Sequence, residues 1–221
     1  MLEAIVFDFD GTLMESADIK ADAFVQLFRN YPQHQDKILK YHLAHAGVSR
    51  YVKFREIYRN ILRQPLAAYE EERLGEMFRQ LINAKMSACP LVPGVQAFLG
   101  TASRQFKCFI ASGAPEGELR PLIEERGLRR YFEGIHGSPQ SKREILHMIL
   151  RQYSLVPSQV LSIGDALSDL DAAQAEGIPF AGRICAEEAV VFPVGTTVAL
   201  FRDFEELERE WGSLLARLAL A

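Results

Sequence analysis

Residues 2–13 read LEAIVFDFDGTL, and this stretch decides the fold. Residues 2–7 form a short, largely apolar run, which is typical of a strand that is buried on both faces of its sheet. Two acids, Asp8 and Asp10, follow at once and flank the apolar Phe9. In open parallel sheets, ligands bind beyond the carboxyl ends of the strands. We therefore expect functional residues directly after this strand and after its neighbours.

The rest of the chain divides into a helical stretch and an alternating stretch. Residues 16–88 show helical periodicity and contain no strand candidate. Further strands are predicted at 106–111, 160–163, 180–181 and 198–201. Helices are predicted between and after them, at 116–126, 141–153, 168–176 and 205–220. Because such alternation implies right-handed crossovers, we predict an α/β fold with a Rossmann-like parallel sheet, helices on both of its faces, and an inserted all-helical segment.

Composition excludes several classes of function. Of the 221 residues, 48% are hydrophobic and 24% are charged, as in ordinary globular chains, and the net charge of −4 gives no general bias towards nucleic acid. No apolar run reaches the roughly 18 residues of a membrane span, and acids come too early for a signal peptide. The odd cysteines, Cys89, Cys108 and Cys185, form no CxxC pair, which favours reduced thiols over disulfides or a zinc site. We expect a cytoplasmic protein without nucleic-acid or membrane partners.

Three predicted strands end in an acid or a hydroxyl beside glycine. Residues 8–12 read DFDGT, Ser112 precedes a glycine after the second strand, and Asp165 follows one after the third, with Asp169 further on. Each feature alone is equally typical of a turn or a helix cap. Buried unpaired carboxylates are costly, however, and a divalent cation would relieve that cost. Asp8 and Asp165 together offer the hard oxygen ligands that Mg²⁺ prefers.

The order and spacing of these features resemble the haloacid dehalogenase-like superfamily, whose members are mainly magnesium-dependent phosphohydrolases. Residues 8–13 are similar to its DxDGT signature, and residues 164–169 are similar to its GDxxxD motif. Ser112 stands at the second motif and Lys142 at the third. The resemblance covers residues 2 to about 183 and implies two domains. These are a catalytic core of residues 1–15 and 89–221, and a helical cap domain of residues 16–88.

The resemblance also implies chemical roles. Asp8 would be the nucleophile that forms an aspartyl-phosphate, and Asp10 would be the general acid and then the general base. Ser112 would hold the phosphoryl oxygens, and Lys142 would neutralise their charge. Substrate contacts through backbone groups and a hydroxyl are expected at Gly11, Thr12 and Gly113.

The implied cofactor is Mg²⁺. Asp165 would bind it together with Asp8 and the carbonyl of Asp10, while Asp169 would bind the metal or orient its ligands. Asp10 also indicates the reaction class, because the dehalogenases and phosphonate-cleaving members of the superfamily lack an acid at this position. An acid there favours cleavage of a phosphate ester or phosphoryl transfer.

The helical insert offers candidates for substrate recognition. Residues 47–50, GVSR, resemble the substrate-facing cap loop of related sugar-phosphate enzymes. Arg50 is expected to hold a second anionic group of the substrate, with Lys53 as the weaker candidate, although a helix cap or a solvent-facing side chain is equally consistent. Lys20 stands where β-phosphoglucomutases have a histidine, and it either contacts the acid site or is solvated. His45 lies close to the cap loop and could line the pocket, but surface or core packing is more usual for a histidine.

The leading hypothesis is a magnesium-dependent phosphatase for a small phosphorylated metabolite of the phosphoglycolate or sugar-phosphate type. The alternatives are a β-phosphoglucomutase-like phosphomutase and a non-catalytic ligand-binding relative. A dehalogenase is disfavoured by Asp10. Both a monomer and a homodimer remain open.

Overall fold

The structure is a computed structural model that describes residues 1–184 and 192–220. Cys89 and Cys108 are buried free thiols. Cys185, the third cysteine of the thiol prediction, lies outside the described residues. Within the described ranges, no helix combines the length and the apolar character that crossing a membrane requires.

Six parallel strands form one sheet in the order β3-β2-β1-β4-β5-β6. The strands are β1 (Ala4–Phe7), β2 (Lys107–Pro115), β3 (Gly134–Ser138), β4 (Val160–Gly164), β5 (Phe180–Arg183) and β6 (Ala199–Phe201). β1 lies in the middle, where Val6 is in register with Phe109 of β2 and Ser162 of β4. All four residues of β1 are buried, as expected of an apolar run that faces helices on both sides.

Helices cover both faces of the sheet. The helices of the core are α5 (Val95–Ala102), α6 (Glu116–Glu125), α7 (Lys142–Gln152), α8 (Leu167–Ala175) and α9 (Phe204–Leu220). Alternate residues of β1 point to opposite faces, so Ile5 and Phe7 pack in a cluster with α5 and α9, while Ala4 and Val6 pack in a cluster with α7 and α8. The predicted α/β fold is therefore confirmed.

The insert between β1 and α5 is helical. It contains α1 (Ala17–Leu27), α2 (Gln35–Ala44), α3 (Arg50–Glu56) and α4 (Ala68–Ala88), and it includes no strand between residues 16 and 88, all of which are described. Its core is aromatic: the ring centroid of Phe24 lies 5.1 Å from that of Phe78 and 5.8 Å from that of Phe54. We refer to residues 16–88 as the helical insert.

Two elements were not predicted, and one predicted boundary was wrong. β3 reads GIHGS and α5 reads VQAFLGTA, so neither has the length or the apolar pattern that identifies an element without its neighbours. β2 continues to Pro115, past the predicted end at residue 111, with a shift of its register against β3. Ser112 therefore lies within the last part of the strand and not after it.

Candidate active site

The carboxyl ends of three adjacent strands bring the motif residues together. Asp8 follows β1, Ser112 is near the end of β2, and Asp165 follows β4. All three line one cavity of about 100 Å³ between the sheet and the helical insert, which we call the inner cavity. Residues that are more than 150 positions apart in the chain thus face the same small space.

Three carboxylates crowd at one end of this site. Asp8, Asp165 and Asp169 each offer one oxygen, and these oxygens all lie within 4.8 Å of one another. Asp8 is buried, and Lys142 is the one cation of the described residues that forms an ion pair with it. Such a concentration of buried negative charge is stable only near a compensating cation.

Lys142 supplies part of that compensation. Its Nζ lies 3.0 Å from Asp8 Oδ1 and 2.5 Å from Asp169 Oδ1, and all three side chains are buried. Burial alone would lower the pKa of Lys142, but Asp169 and Asp8 raise it above its ordinary value, so the side chain stays protonated. Ser141 fixes the position of Lys142 because its hydroxyl caps the first turn of α7 in a capping box with Glu144.

One ammonium group does not balance three carboxylates. Burial raises the pKa of Asp8, and the charge of Asp10 raises it further, against the opposing effect of Lys142. Burial, Asp8 and Asp169 raise the pKa of Asp165 well above its ordinary value. Burial raises the pKa of Asp169 to about 7, again against Lys142. The cluster of Asp8, Asp165 and Asp169 therefore holds more carboxylate groups than Lys142 can balance. Their oxygens are ligands of the kind that a hard divalent cation prefers.

The loop after β1 is built around Asp165. Gly11 has φ +77°, and a Cβ atom there would lie 2.2 Å from Asp165 Oδ2, so only glycine fits. Thr12 Oγ1 donates a hydrogen bond of 2.9 Å to Asp165 Oδ1. Arg183 is buried at the end of β5 and donates to the Gly11 carbonyl at 2.5 Å and to Glu15 at 2.6 Å. Arg183 was not predicted as a site residue, although its position at the end of a strand was a possible signal.

Asp10 lies at the junction of the sheet and the helical insert. Ser16 Oγ donates a hydrogen bond of 2.8 Å to Asp10 Oδ1, and Lys20 of α1 forms an ion pair with Asp10 Oδ2. Burial alone would raise the pKa of Asp10, but Lys20 and Ser16 outweigh it and lower the pKa below its ordinary value. Of the two alternatives for Lys20, the structure has the contact with the acid site.

Ser112 and Gly113 connect the sheet to the helical insert. Ser112 Oγ accepts a hydrogen bond of 3.1 Å from the Ala114 N–H, which leaves the hydroxyl proton available to a ligand. A Cβ atom on Gly113 would lie 2.1 Å from the Gly47 carbonyl oxygen, so the backbones of β2 and of the 46–50 loop touch here. On the other side of the loop, Ser168 Oγ donates a hydrogen bond of 2.8 Å to the Ala46 carbonyl. These contacts close the insert over the strand ends.

The helical insert contributes further charged side chains to the wall of the inner cavity. Arg50 is buried, donates to Glu118 Oε2 at 2.5 Å, and lies 4.7 Å above the Phe78 ring. Lys53 is also buried, and its Nζ lies 3.2 Å from His42 Nδ1. His45 does not line the cavity. It is exposed and hydrogen-bonded to the Tyr41 carbonyl, whereas His42, one helical turn earlier, faces inward.

Comparison with known proteins identifies the family. Residues 5–183 match the sequence profile of the haloacid dehalogenase-like hydrolases, and the chain belongs to this family. The family and the hydrolase class predicted from the motifs are therefore confirmed. The match covers every motif residue discussed above.

Individual relatives are phosphatases. The chain is 27% identical over 202 residues to phosphoglycolate phosphatase 1 of Pseudomonas aeruginosa, an alignment that covers 84% of this chain and 73% of that protein. It is 24% identical over 187 residues to the phosphorylated carbohydrates phosphatase of Thermotoga maritima, covering 80% and 82% of the two chains. The fold is similar to that of CbbY from Rhodobacter sphaeroides in complex with phosphate, with a TM-score of 0.74, 20% identity, and 94% and 96% coverage.

Proposed function

We propose that this protein is a metal-dependent phosphatase that cleaves small phosphate monoesters. The observation that carries the proposal is Asp8. Its carboxylate is buried at the end of the central strand, faces the inner cavity, and lies beside Lys142 and two further acids. A carboxylate in this setting is suited to attack phosphorus, because it faces the cavity and Lys142 can offset the negative charge of a phosphoryl group beside it. The phosphatase relatives support the same reaction.

The residues of the site divide the reaction into two steps. In the first, an oxygen of Asp8 attacks phosphorus, and the bond from phosphorus to the ester oxygen breaks as the new one forms. Asp10 gives its proton to the leaving oxygen. In the second step, Asp10 takes a proton from water, the water oxygen attacks phosphorus, and the Asp8 carboxylate is released with inorganic phosphate. Lys142 and the Ser112 hydroxyl hold the phosphoryl oxygens in both steps.

The ion pair with Lys20 favours one of the two states that Asp10 needs. Lys20 and Ser16 stabilise the ionised carboxylate, which is the form that accepts a proton from water. The first step needs protonated Asp10. We therefore expect the contact between Lys20 and Asp10 to loosen when substrate enters, since this would let the pKa of Asp10 rise.

We assign Mg²⁺ as the cofactor. Asp8 and Asp165 would hold it with their carboxylates and Asp10 with its carbonyl, while Asp169 would bind it or orient the ligands. When bound, the cation would add positive charge beside the phosphoryl oxygens. The fit rests on the three crowded carboxylates, whose negative charge Lys142 alone does not balance.

The dimensions of the site favour a compact substrate. The inner cavity of about 100 Å³ adjoins an outer cavity of about 300 Å³ between α4 and α6, and the two share Asp10, Lys20 and Arg50 in their walls. Pockets for drug-sized ligands measure roughly 300–1,000 Å³. We infer a substrate of the phosphoglycolate or sugar-phosphate type, with residues 16–88 acting as a cap domain over a core of residues 1–15 and 89–221. A cytoplasmic location stays a prediction.

A phosphomutase is the second candidate. Such an enzyme would share the nucleophile, and the shared fold does not separate it from a phosphatase. Lys20, in place of the histidine of β-phosphoglucomutases, favours hydrolysis. A non-catalytic relative is disfavoured because every motif position holds a residue that can perform its step.

The test is phosphate release from phosphoglycolate and from an aryl phosphate, measured with Mg²⁺ and with a chelator. Wild-type protein is expected to release phosphate only with the metal. Asp8→Asn should release none while keeping its circular dichroism spectrum. Asp171→Asn, an exposed change on the same helix as Asp169, is the matched control and should keep wild-type activity. Turnover by Asp8→Asn, or no phosphate from folded wild-type protein with any phosphate ester of a broad panel, would contradict the proposal.

A further inference from the structure

Lys53, one of the cations in or beside the inner cavity, has no carboxylate partner among the residues that the structure describes. Lys20 is paired with Asp10, Arg50 with Glu118, and Lys142 with Asp8 and Asp169. Lys53 is only 3% exposed, yet no carboxylate oxygen of the described residues lies within 4 Å of its ammonium group. A buried charge without a counter-ion is costly unless a ligand supplies one.

The groups in direct contact with the Lys53 ammonium are uncharged. Its Nζ lies 3.2 Å from His42 Nδ1, 3.3 Å from the His42 carbonyl oxygen, and 5.5 Å from the centre of the Phe24 ring. Burial, together with Lys53 and Lys20, lowers the pKa of His42 to about 3, so the imidazole is neutral and can accept a hydrogen bond at Nδ1. His42 is itself fixed by packing against Phe24, with ring centroids 4.0 Å apart. The histidine therefore orients the lysine without neutralising it.

An anion would complete this arrangement. Burial and the charges of Lys20 and Lys142 together lower the pKa of Lys53 to about 7, against the opposing effect of the more distant Asp10. A negative group bound beside Lys53 would favour its charged form. The helical insert thus presents a cation that is prepared for an anionic partner.

Lys53 and the nucleophile face the same cavity from different elements. Asp8, Ser112 and Asp165 line it from the strand ends, and Lys53 and His42 line it from the insert. Because the cavity measures only about 100 Å³, a ligand that reaches both sides is short.

We propose that Lys53, oriented by His42, binds a second anionic group of a short phosphate ester, either a carboxylate or a second phosphate group. This proposal rests on the phosphatase function proposed above and specifies its substrate class. Lys53 thereby takes the role of binding the second anionic group, for which Arg50 was the first candidate from the sequence. Arg50 is less suited to it, because Glu118 already balances its charge at 2.5 Å. His42 is a positioning residue that acts through Lys53.

The experiment compares two esters of the same length, phosphoglycolate and 2-hydroxyethyl phosphate, which differ by the carboxylate. Lys53→Met keeps the volume and removes the charge. We expect it to lower the ratio of kcat/KM for phosphoglycolate to kcat/KM for 2-hydroxyethyl phosphate by about 10- to 100-fold, mainly through KM, which is the usual contribution of a charged hydrogen bond. Lys40→Met, an exposed change on the helix of His42, is the matched control and should leave the ratio unchanged.

Two further arms refine the test. Ethane-1,2-diol bisphosphate, which carries a second phosphate group on the same two-carbon chain, replaces phosphoglycolate in the same comparison, and the ester with the larger loss identifies a carboxylate or a phosphate as the second group. His42→Phe removes the acceptor for Lys53 and should raise KM for that ester, whereas His42→Gln, which keeps an acceptor, should restore part of the affinity. Equal KM values in both histidine variants would exclude the positioning role.

The outcomes separate the two proposals. In one outcome, wild-type protein cleaves the esters, and Lys53→Met changes the ratio of kcat/KM values by less than about threefold for both the carboxylate ester and the bisphosphate. This result would overturn the role of Lys53 and leave the phosphatase proposal intact. If folded wild-type protein cleaves no ester, the phosphatase proposal fails, and calorimetry of phosphoglycolate binding then tests Lys53 directly. Affinity at least about tenfold weaker in Lys53→Met supports the anion site, and equal affinity overturns it. Lys53→Gln repeats each measurement if the methionine variant does not fold.

Discussion

The crowding of carboxylates around Asp165 predicts a substitution that stabilises the metal-free protein and abolishes metal binding. Asp165→Asn removes one negative charge from the cluster with Asp8 and Asp169. The amide oxygen can still accept the hydrogen bond that Thr12 Oγ1 donates to Asp165 Oδ1. The substitution therefore removes the charge with little change in volume, and it keeps the hydrogen bond from Thr12.

The size of the effect follows from the electrostatics. The pKa of Asp165 is raised by burial and by its acidic neighbours, so ionisation of this group opposes folding. Removal of one charge from this group of mutually repelling carboxylates contributes about 1–3 kcal/mol to the free energy of unfolding. For a chain of this size, each kcal/mol raises the melting temperature by about 2–4 °C, which gives a rise of roughly 2–12 °C. At low pH the Asp165 carboxyl is protonated in the folded and the unfolded protein, and it then costs no stability. The cost is complete above the pKa of Asp165 in the folded protein. The gain in melting temperature from Asp165→Asn should therefore grow from pH 4 to pH 8.5.

Thermal unfolding in chelator and in Mg²⁺ provides the assay. Wild-type protein should gain about 2.7 kcal/mol when Mg²⁺ is present at 100 times its dissociation constant, and Asp165→Asn should gain almost nothing. Asp171→Asn, the exposed control, should behave as the wild type in both conditions. The reasoning is refuted if Asp165→Asn melts below the wild type in chelator at pH 8.5, or if Mg²⁺ stabilises both proteins equally.

Two further changes test the junction of the insert and the core. Lys20→Met should raise the pKa of Asp10, because it removes the positive charge whose effect on this pKa outweighs that of burial. The value of kcat/KM includes the step that needs protonated Asp10. It should therefore decline at a higher pH in this variant than in the wild type. An unmoved decline, or an unchanged carboxyl titration by NMR, would speak against the role of Lys20. Gly113→Ala should lower kcat/KM by about tenfold or more with a modest fall in melting temperature, because its Cβ would meet the Gly47 carbonyl oxygen at 2.1 Å and displace the loop. Wild-type kinetics in this variant would show that the loop contact does not matter.

Short stretches of sequence predicted the strands and helices whose own residues determine their structure. β1 is recognisable because its four residues are buried on both faces and are followed by two acids. β3 has one large apolar residue, Ile135, and it is a strand because β2 lies beside it. Such a strand depends on tertiary pairing, which no short window of sequence contains.

The candidate site shows the same division. The motif spacing correctly indicated that Asp8 and Asp165 would lie together, because the ends of adjacent parallel strands meet at one edge of the sheet. The motif spacing could not predict which residues pair with the charged side chains. Glu118, which neutralises Arg50, lies 68 positions away, and the residue that orients Lys53 is a histidine on another helix. Which cation is free to bind a ligand is decided by these long-range pairings.

The central claim is that Asp8 takes the phosphoryl group, and acid quenching tests it directly. Wild-type protein is mixed with phosphoglycolate and Mg²⁺, quenched within milliseconds, digested, and analysed by mass spectrometry. The peptide that contains Asp8 should carry the mass of one phosphoryl group, with fragmentation assigning it to Asp8, and Asp8→Asn should carry none. Phosphate release at full rate with no phosphoryl group on Asp8, or with the group on another residue, would contradict the mechanism.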